Sequence, residues 1–283
     1  MVKGRFILGC LSILLLTACN GLQSRLEQAE IISTNNNFEK KTIETTHFNL
    51  ATYQRINSTS KSAVIYIEGD GFSWKNKYTV SNNPTPKNPV ALKLAAIDTS
   101  PIVIYIARPC QFINIKNETN CKPEYWTSKR ASKEVIESFS AAIDSIKKEL
   151  NINQLRLVGF SGGATIATIL AANRNDVIDL RTIAGNLDID KFVEVHNVSP
   201  LTSSINPTDY ADKLVKIPQT HVISMNDSII TADITDSYLK YLEKFDTNLK
   251  CVEVIKLSKP EHTKGWADYW SVQSFSKVQS CIN

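Results

Sequence analysis

Short apolar, β-branched runs alternate with helical stretches along most of this chain, and that alternation restricts the fold more than any other feature. Ala63–Ile67 (AVIYI), Pro101–Ala107 (PIVIYIA), Leu155–Phe160 (LRLVGF), Leu180–Ala184 (LRTIA), His221–Ser224 (HVIS) and Cys251–Leu257 (CVEVIKL) read as strands, and Thr42–Arg55 holds two further β-prone runs. Asn88-Pro89 opens a helical pattern through Ala96, with Asn as N-cap and Pro at the first helical position. Ser132–Leu150 is a long amphipathic helix; Ala164–Ala172, Ser237–Phe245 and Trp266–Val278 are also helical in pattern. Strands that are apolar throughout are buried on both faces. Joined by helices, they imply an α/β fold with a mostly parallel central sheet and helices on both faces. Such sheets place ligands at the carboxyl ends of their strands, so chemistry is expected in the turns that follow them.

One of those turns is Gly159-Phe160-Ser161-Gly162-Gly163, a G-x-S-x-G pattern with a strand before it and a helix after it. A Ser at so tight a strand-to-helix turn is held in a strained conformation with its hydroxyl exposed, and the flanking glycines let strand and helix approach closely. The N–H after the Ser and the positive end of the following helix both face developing negative charge. Four further segments stand out: Glu68-Gly69-Asp70-Gly71, Ala107-Arg108-Pro109-Cys110-Gln111-Phe112, Tyr125-Trp126-Thr127 and Ala184-Gly185-Asn186-Leu187-Asp188. With these residues the chain resembles the α/β-hydrolase superfamily over about residues 42–283, and within it a group of bacterial lipoprotein α/β-hydrolases.

The resemblance implies a triad in the chain order Ser, acid, His. Ser161 is the expected nucleophile. Asp227, in the turn after His221–Ser224, resembles the family's acid, with Asp188 or Asp190 after the preceding strand as the alternative. His262 follows the last strand and is the expected base; His196 is its competitor, whereas His47 and His221 lie outside the expected turns. The Gly162 N–H would form half of an oxyanion hole, and the Asp70 N–H, with Gly71 as alternate, the other half. Glu68 stands where the family usually has a His. Arg108 is read either as a site for an anionic substrate group or as a structural partner of carboxylates or carbonyls. Tyr125 and Trp126 are read as pocket-lining or core residues. These roles imply a serine hydrolase, carboxylesterase- or lipase-like, that cleaves ester or related acyl bonds through an acyl-enzyme without a cofactor. The alternative is a non-catalytic envelope lipoprotein that uses the fold for binding. A cap over the pocket is expected within residues 187–217.

Residues 1–18 read as a signal peptide, with Lys3 and Arg5 ahead of an apolar run from Phe6 to Leu16 that is too short to span a bilayer. Leu16-Thr17-Ala18-Cys19 resembles the lipobox of bacterial lipoproteins, which implies acylation of Cys19 and anchorage to a membrane. Asn20, in place of an Asp, favours the outer membrane, facing the periplasm. Residues 19–41 are then a polar, flexible tether, with room for a short helical turn, and 42–283 the folded domain. Four cysteines remain, an even number suited to an oxidising compartment; proximity in sequence pairs Cys110 with Cys121 and Cys251 with Cys281. No Cys or His cluster has zinc-ligand spacing, so no metal is expected. A net charge of +4, from 32 basic and 28 acidic residues, with no basic run carrying interleaved aromatics, argues against nucleic acid as a partner. The expected partners are a small-molecule or lipid ester and the membrane.

Overall fold

The computed structural model describes residues 20–270 and Cys281. Its centre is an eight-stranded sheet. In chain order the elements are α1 (Asn20–Asn35), β1 (Glu39–Glu44), β2 (Asn49–Ile56), β3 (Ser62–Ile67), a small hairpin of β4 (Trp74–Asn76) and β5 (Thr79–Val80), α2 (Val90–Ile97) and β6 (Ile102–Ile106). There follow α3 (Lys133–Leu150), β7 (Gln154–Phe160), α4 (Gly162–Asn173), β8 (Val177–Ile183), α5 (Ile189–His196), α6 (Ala211–Leu214), β9 (Gln219–Ser224), α7 (Ala232–Glu243) and β10 (Val252–Leu257). The large sheet is ordered β1-β2-β6-β3-β7-β8-β9-β10. β2 pairs antiparallel with both neighbours; from β6 to β10 every pairing is parallel. The mostly parallel sheet expected from the apolar runs is therefore present.

Side-chain alternation divides the core into two layers. Ile65, Ile67, Ile104, Ile106, Leu155 and Leu157 face α3 and α4, while Val64, Tyr66, Val103, Tyr105 and Val158 face α2. α3 buries Val135, Phe139, Ala142, Ile143 and Ile146, a stripe at helical spacing, and ends at Asn151 in the left-handed conformation (φ 54°). The order in which strands are laid down reverses at β3: the chain goes from β3 to β6 on one side, then crosses back past β3 to β7 on the other, all three strands running parallel. Open α/β sheets place their ligands at the strand ends beside such a switch point.

Three expectations are corrected. The segment read as a flexible tether holds the sixteen-residue helix α1, and β1 starts at Glu39, inside the same segment. Leu26, Ala29 and Ile32 put one face of α1 on the α2 layer, with Ala29 wholly buried; a polar composition had masked this narrow apolar stripe. α2 begins at Val90 with Pro89 at its N-cap, and Asn88 donates its side-chain amide to the Thr263 carbonyl instead. The cap comes from Glu68, distant in sequence, whose Oε1 accepts from the Ala91 N–H at 3.4 Å. Residues 266–270 form a turn where a helix was expected, and the rest of the expected helix to Val278 lies outside the described residues, as does Cys19. The segment 187–217 carries α5 and α6, and its Leu187, Ile189, Ala211 and Leu214 are buried against the α4 layer. Cys110 pairs with Cys121 and Cys251 with Cys281, across Cα separations of 5.6 and 4.8 Å.

Candidate active site

Ser161 sits at the N-cap of α4 with φ 52° and ψ −121°, a conformation that costs a non-glycine residue of order 1–3 kcal/mol. The surroundings hold it there. Its N–H donates to the Ile183 carbonyl at 3.0 Å, and its carbonyl accepts from Ala164 at 3.0 Å and Asn186 at 3.1 Å. Thr165 Oγ1 donates to the Asn186 carbonyl at 2.6 Å, so the Ala184–Asp188 segment braces the elbow from the next strand. Close packing explains two glycines. A Cβ on Gly159 would lie 2.4 Å from Ala164 Cα, and one on Gly163 would lie 2.3 Å from the Ile67 carbonyl oxygen.

The three residues expected as a triad meet at this rim. His262 Nε2 lies 3.1 Å from Ser161 Oγ, and His262 Nδ1 lies 2.8 Å from Asp227 Oδ2. Asp227 has a fully buried side chain, and its Oδ1 accepts from the N–H groups of Ile229 (2.8 Å) and Ile230 (3.0 Å). The His262 loop is secured by Trp266, whose Nε1 donates to the His262 carbonyl at 2.9 Å, and by Phe160, whose ring packs on the imidazole at 5.2 Å. With Nδ1 donating to a carboxylate, the proton-free Nε2 is the nitrogen presented to the hydroxyl, which is the tautomer a general base needs.

The competitors have other partners. Asp188 caps α5, accepting from the N–H groups of Asp190 and Lys191, and takes a hydrogen bond from Ser237 Oγ at 2.6 Å. Asp190 contacts Asn206. His196 Nε2 is 2.6 Å from the Ile229 carbonyl oxygen. His221 is buried in the sheet against Thr182 Oγ1, and burial pushes its pKa down to about 3; His47 pairs with Glu137 at the surface.

The turn after β3 abuts the elbow. A Cβ on Gly69 would lie 3.2 Å from Ser161 Cβ, and one on Gly162 would lie 2.2 Å from Asp70 Oδ1. Among the described residues, no acceptor takes the backbone N–H of Asp70, Gly71 or Gly162. The turn is held by side chains. Asp70 Oδ1 accepts from Arg108 Nη1 at 3.0 Å and Oδ2 from Arg130 Nη1 at 2.6 Å. Burial alone would raise the Asp70 pKa, but the two guanidiniums outweigh it and hold the carboxyl below the ordinary carboxylate range. Arg108 also donates to the Arg130 carbonyl, and Gln111 joins the Gly69 carbonyl (3.0 Å) to the Arg108 N–H (3.2 Å). Arg108 is thus a buried structural partner. Sequence reading missed Arg130 and Gln111 here; Gln111 lies inside a segment already singled out, whereas nothing local marks Arg130. Tyr125 and Trp126 are packing residues: Tyr125 meets Phe48 edge-on at 4.7 Å, and Trp126 donates to the Ser81 carbonyl.

Residues 95–252, more than half of the chain, match the family model described as Serine hydrolase (FSH1). The chain belongs to the FSH1 family of serine hydrolases. The matched span of this FSH1 serine hydrolase includes Ser161 and Asp227, and begins after Asp70 and ends before His262. No curated protein matches it. Among solved structures, esterase Pf2001 of Pyrococcus furiosus is similar at a TM-score of 0.59 and 15% identity, over 88% of this chain and 93% of that one. Est1E from Butyrivibrio proteoclasticus is similar at 0.57 and 11% identity, over 81% and 93%. XC6422 from Xanthomonas campestris, described as an α/β serine hydrolase without lid, is similar at 0.50 and 11%, over 87% and 93%. At such identities these likenesses carry the fold, and the fold of this FSH1 hydrolase is that of the α/β-hydrolases.

Proposed function

We propose that this serine hydrolase cleaves ester or related acyl bonds of a small molecule or lipid through an acyl-enzyme, with Ser161 as nucleophile, His262 as general base and Asp227 as the residue that orients His262. The observation that carries the reading is the continuous hydrogen-bonded line from Asp227 through His262 to a Ser held in a strained elbow. Ser161 Oγ forms a bond to the carbonyl carbon as its proton passes to His262 Nε2. The displaced electron pair on the carbonyl oxygen is received by the N–H of Gly162 and that of Asp70, with Gly71 as alternate. Collapse of the tetrahedral species breaks the acyl–oxygen bond, and His262 returns the proton to the leaving alcohol. Water then repeats the sequence on the acyl-enzyme. Fluorophosphonate labelling tests this: the wild-type chain takes one adduct at Ser161, and Ser161→Ala abolishes both the adduct and, by at least on the order of 10³-fold, hydrolysis of short p-nitrophenyl esters. An unlabelled Ser161 in the folded wild type would leave the non-catalytic, binding role.

The same proposal places the chain in the bacterial envelope, anchored by lipid on Cys19, most simply at the outer membrane facing the periplasm. Its support is the basic start, the short apolar run and the Leu16-Thr17-Ala18-Cys19 sequence. Several acyl chains give stable anchorage, because each buried methylene contributes about 0.8 kcal/mol. Metabolic labelling with a palmitate analogue is expected to mark the wild type and not Cys19→Ala; an unlabelled wild type ends the anchor proposal.

A further inference from the structure

His196 lost the competition for the general base, yet it is bonded to the same machinery one step further back. His196 Nε2 lies 2.6 Å from the Ile229 carbonyl oxygen. A carbonyl oxygen can only accept, so Nε2 carries the proton. That carbonyl belongs to the peptide between Ile229 and Ile230, and the N–H of the same peptide, on Ile230, donates to Asp227 Oδ1 at 3.0 Å. One planar amide therefore takes a hydrogen bond on its oxygen from His196 and gives one from its nitrogen to Asp227. Donation to the oxygen draws charge through the amide and makes its N–H a stronger donor, as in other chains of linked hydrogen bonds. It also fixes the orientation of the peptide plane, and with it the direction of the donor.

The element that carries His196 is suited to hold a partner still. α5 is tied at its start by Asp188, which accepts from the helix N–H groups and from Ser237 of α7, and His196 occupies its last turn. The His196 ring packs against Phe192 on the same helix, at 4.6 Å between centroids. Among the described residues, Asp227 has no side-chain donor other than His262; the N–H groups of Ile229 and Ile230 are what hold its second oxygen. Anything that tilts that pair of donors turns the carboxylate relative to the imidazole.

We propose that His196 is a positioning residue of the reaction, acting through the Ile229–Ile230 peptide on Asp227 and tying the helix α5 to the acid turn. The inference rests on the roles given above to Ser161, His262 and Asp227. Two substitutions separate donation from packing. His196→Phe keeps an aromatic ring against Phe192 and removes the donor; His196→Gln loses the ring and keeps an amide donor. Measured on the full chain with a short p-nitrophenyl ester, His196→Phe lowers kcat on the order of tenfold at unchanged KM, and His196→Gln recovers most of it. In an Asp227→Asn background, His196→Phe costs little more, since the two act in series. A structural role predicts the reverse order, with Gln the poorer variant and the loss following the melting temperature. Wild-type kcat in a folded His196→Phe, or equal losses in both variants, overturns the inference; should the Phe variant not fold, His196→Leu is the donor-free comparison. The underlying reading fails separately, by absence of a Ser161 adduct in the wild type.

Discussion

At the scale of single residues, the buried carboxyl of Glu68 has the clearest consequence for stability. It is buried beneath the β3 turn, accepting from the Gly69 N–H at 2.9 Å, the Ala91 N–H and the Tyr105 hydroxyl. Burial pushes its pKa up to about 7, only partly offset by those donors. The linkage has a definite sign. Between the unfolded carboxyl value near 4.5 and about 7, the folded state holds the proton and the unfolded state does not, so this residue's contribution to stability declines as pH rises through that window and levels above it. The full decline is on the order of 3 kcal/mol. Glu68→Gln removes the titration and retains an acceptor for Gly69. Denaturant unfolding at pH 5 and pH 8 is expected to show the variant gaining on the wild type at the higher pH; an equal difference at both values would mean that Glu68 is not the titrating group.

Elements meet at the site because backbones come closer there than side chains ordinarily allow. Gly163 shows the energetics. As the second residue of α4 it would gain about 1 kcal/mol of helix propensity on becoming Ala. The added Cβ would stand 2.3 Å from the Ile67 carbonyl oxygen and 2.4 Å from that of Glu68, both of them backbone atoms that cannot step aside. Overpacking of this kind costs about 1–3 kcal/mol or more, so the clash outweighs the propensity. Gly163→Ala is expected to lower the melting temperature and to slow fluorophosphonate labelling of Ser161, because relief of the clash moves the β3 turn away from the elbow. A variant that melts higher with unchanged labelling would refute the close approach. The same logic accounts for α1: its contribution comes from burying Ala29 on the α2 layer, a contact that only the folded partner supplies.

Across the whole molecule, the sheet buries a polar pair whose titration is expected to lower stability in acid. His221 on β9 faces Thr182 on β8 in register, 2.8 Å from Nδ1 to Oγ1, with Nε2 buried and unpaired. Burial pushes its pKa down to about 3 from the usual 6.5. Here the unfolded state binds the proton first, so stability is lost as pH falls from about 6.5 towards 3, up to on the order of 5 kcal/mol. Glu68 and His221 thus oppose one another, and between about pH 4.5 and 6.5 each is part-way through its window. Replacing His221 with Asn, which can still bond Thr182, is expected to flatten the acid side of a urea-stability profile between pH 7 and pH 4. Parallel profiles for variant and wild type would exclude His221 as the cause.

The amino-acid order alone determined the layered, mostly parallel sheet and the elbow at Ser161, and narrowed its partners to Asp227, Asp188 or Asp190 and to His262 or His196, because those depend on local signals: runs of β-branched residues, glycines two either side of a Ser, and an Asp and a His just past late strands. Only the tertiary structure decided which histidine stands within hydrogen-bond reach of the Ser and which acid within reach of that histidine, since Asp188 is consumed in capping α5 and His196 in bonding a carbonyl. It also decided the tether, which became α1 once an apolar layer was there to receive Ala29, and the surroundings of Asp70, where Arg130 arrives from sixty positions away. Chemistry within a turn is written in neighbouring residues; contacts between residues far apart in the chain exist only after β3, β7 and β9 lie side by side, and no short-range pattern encodes them.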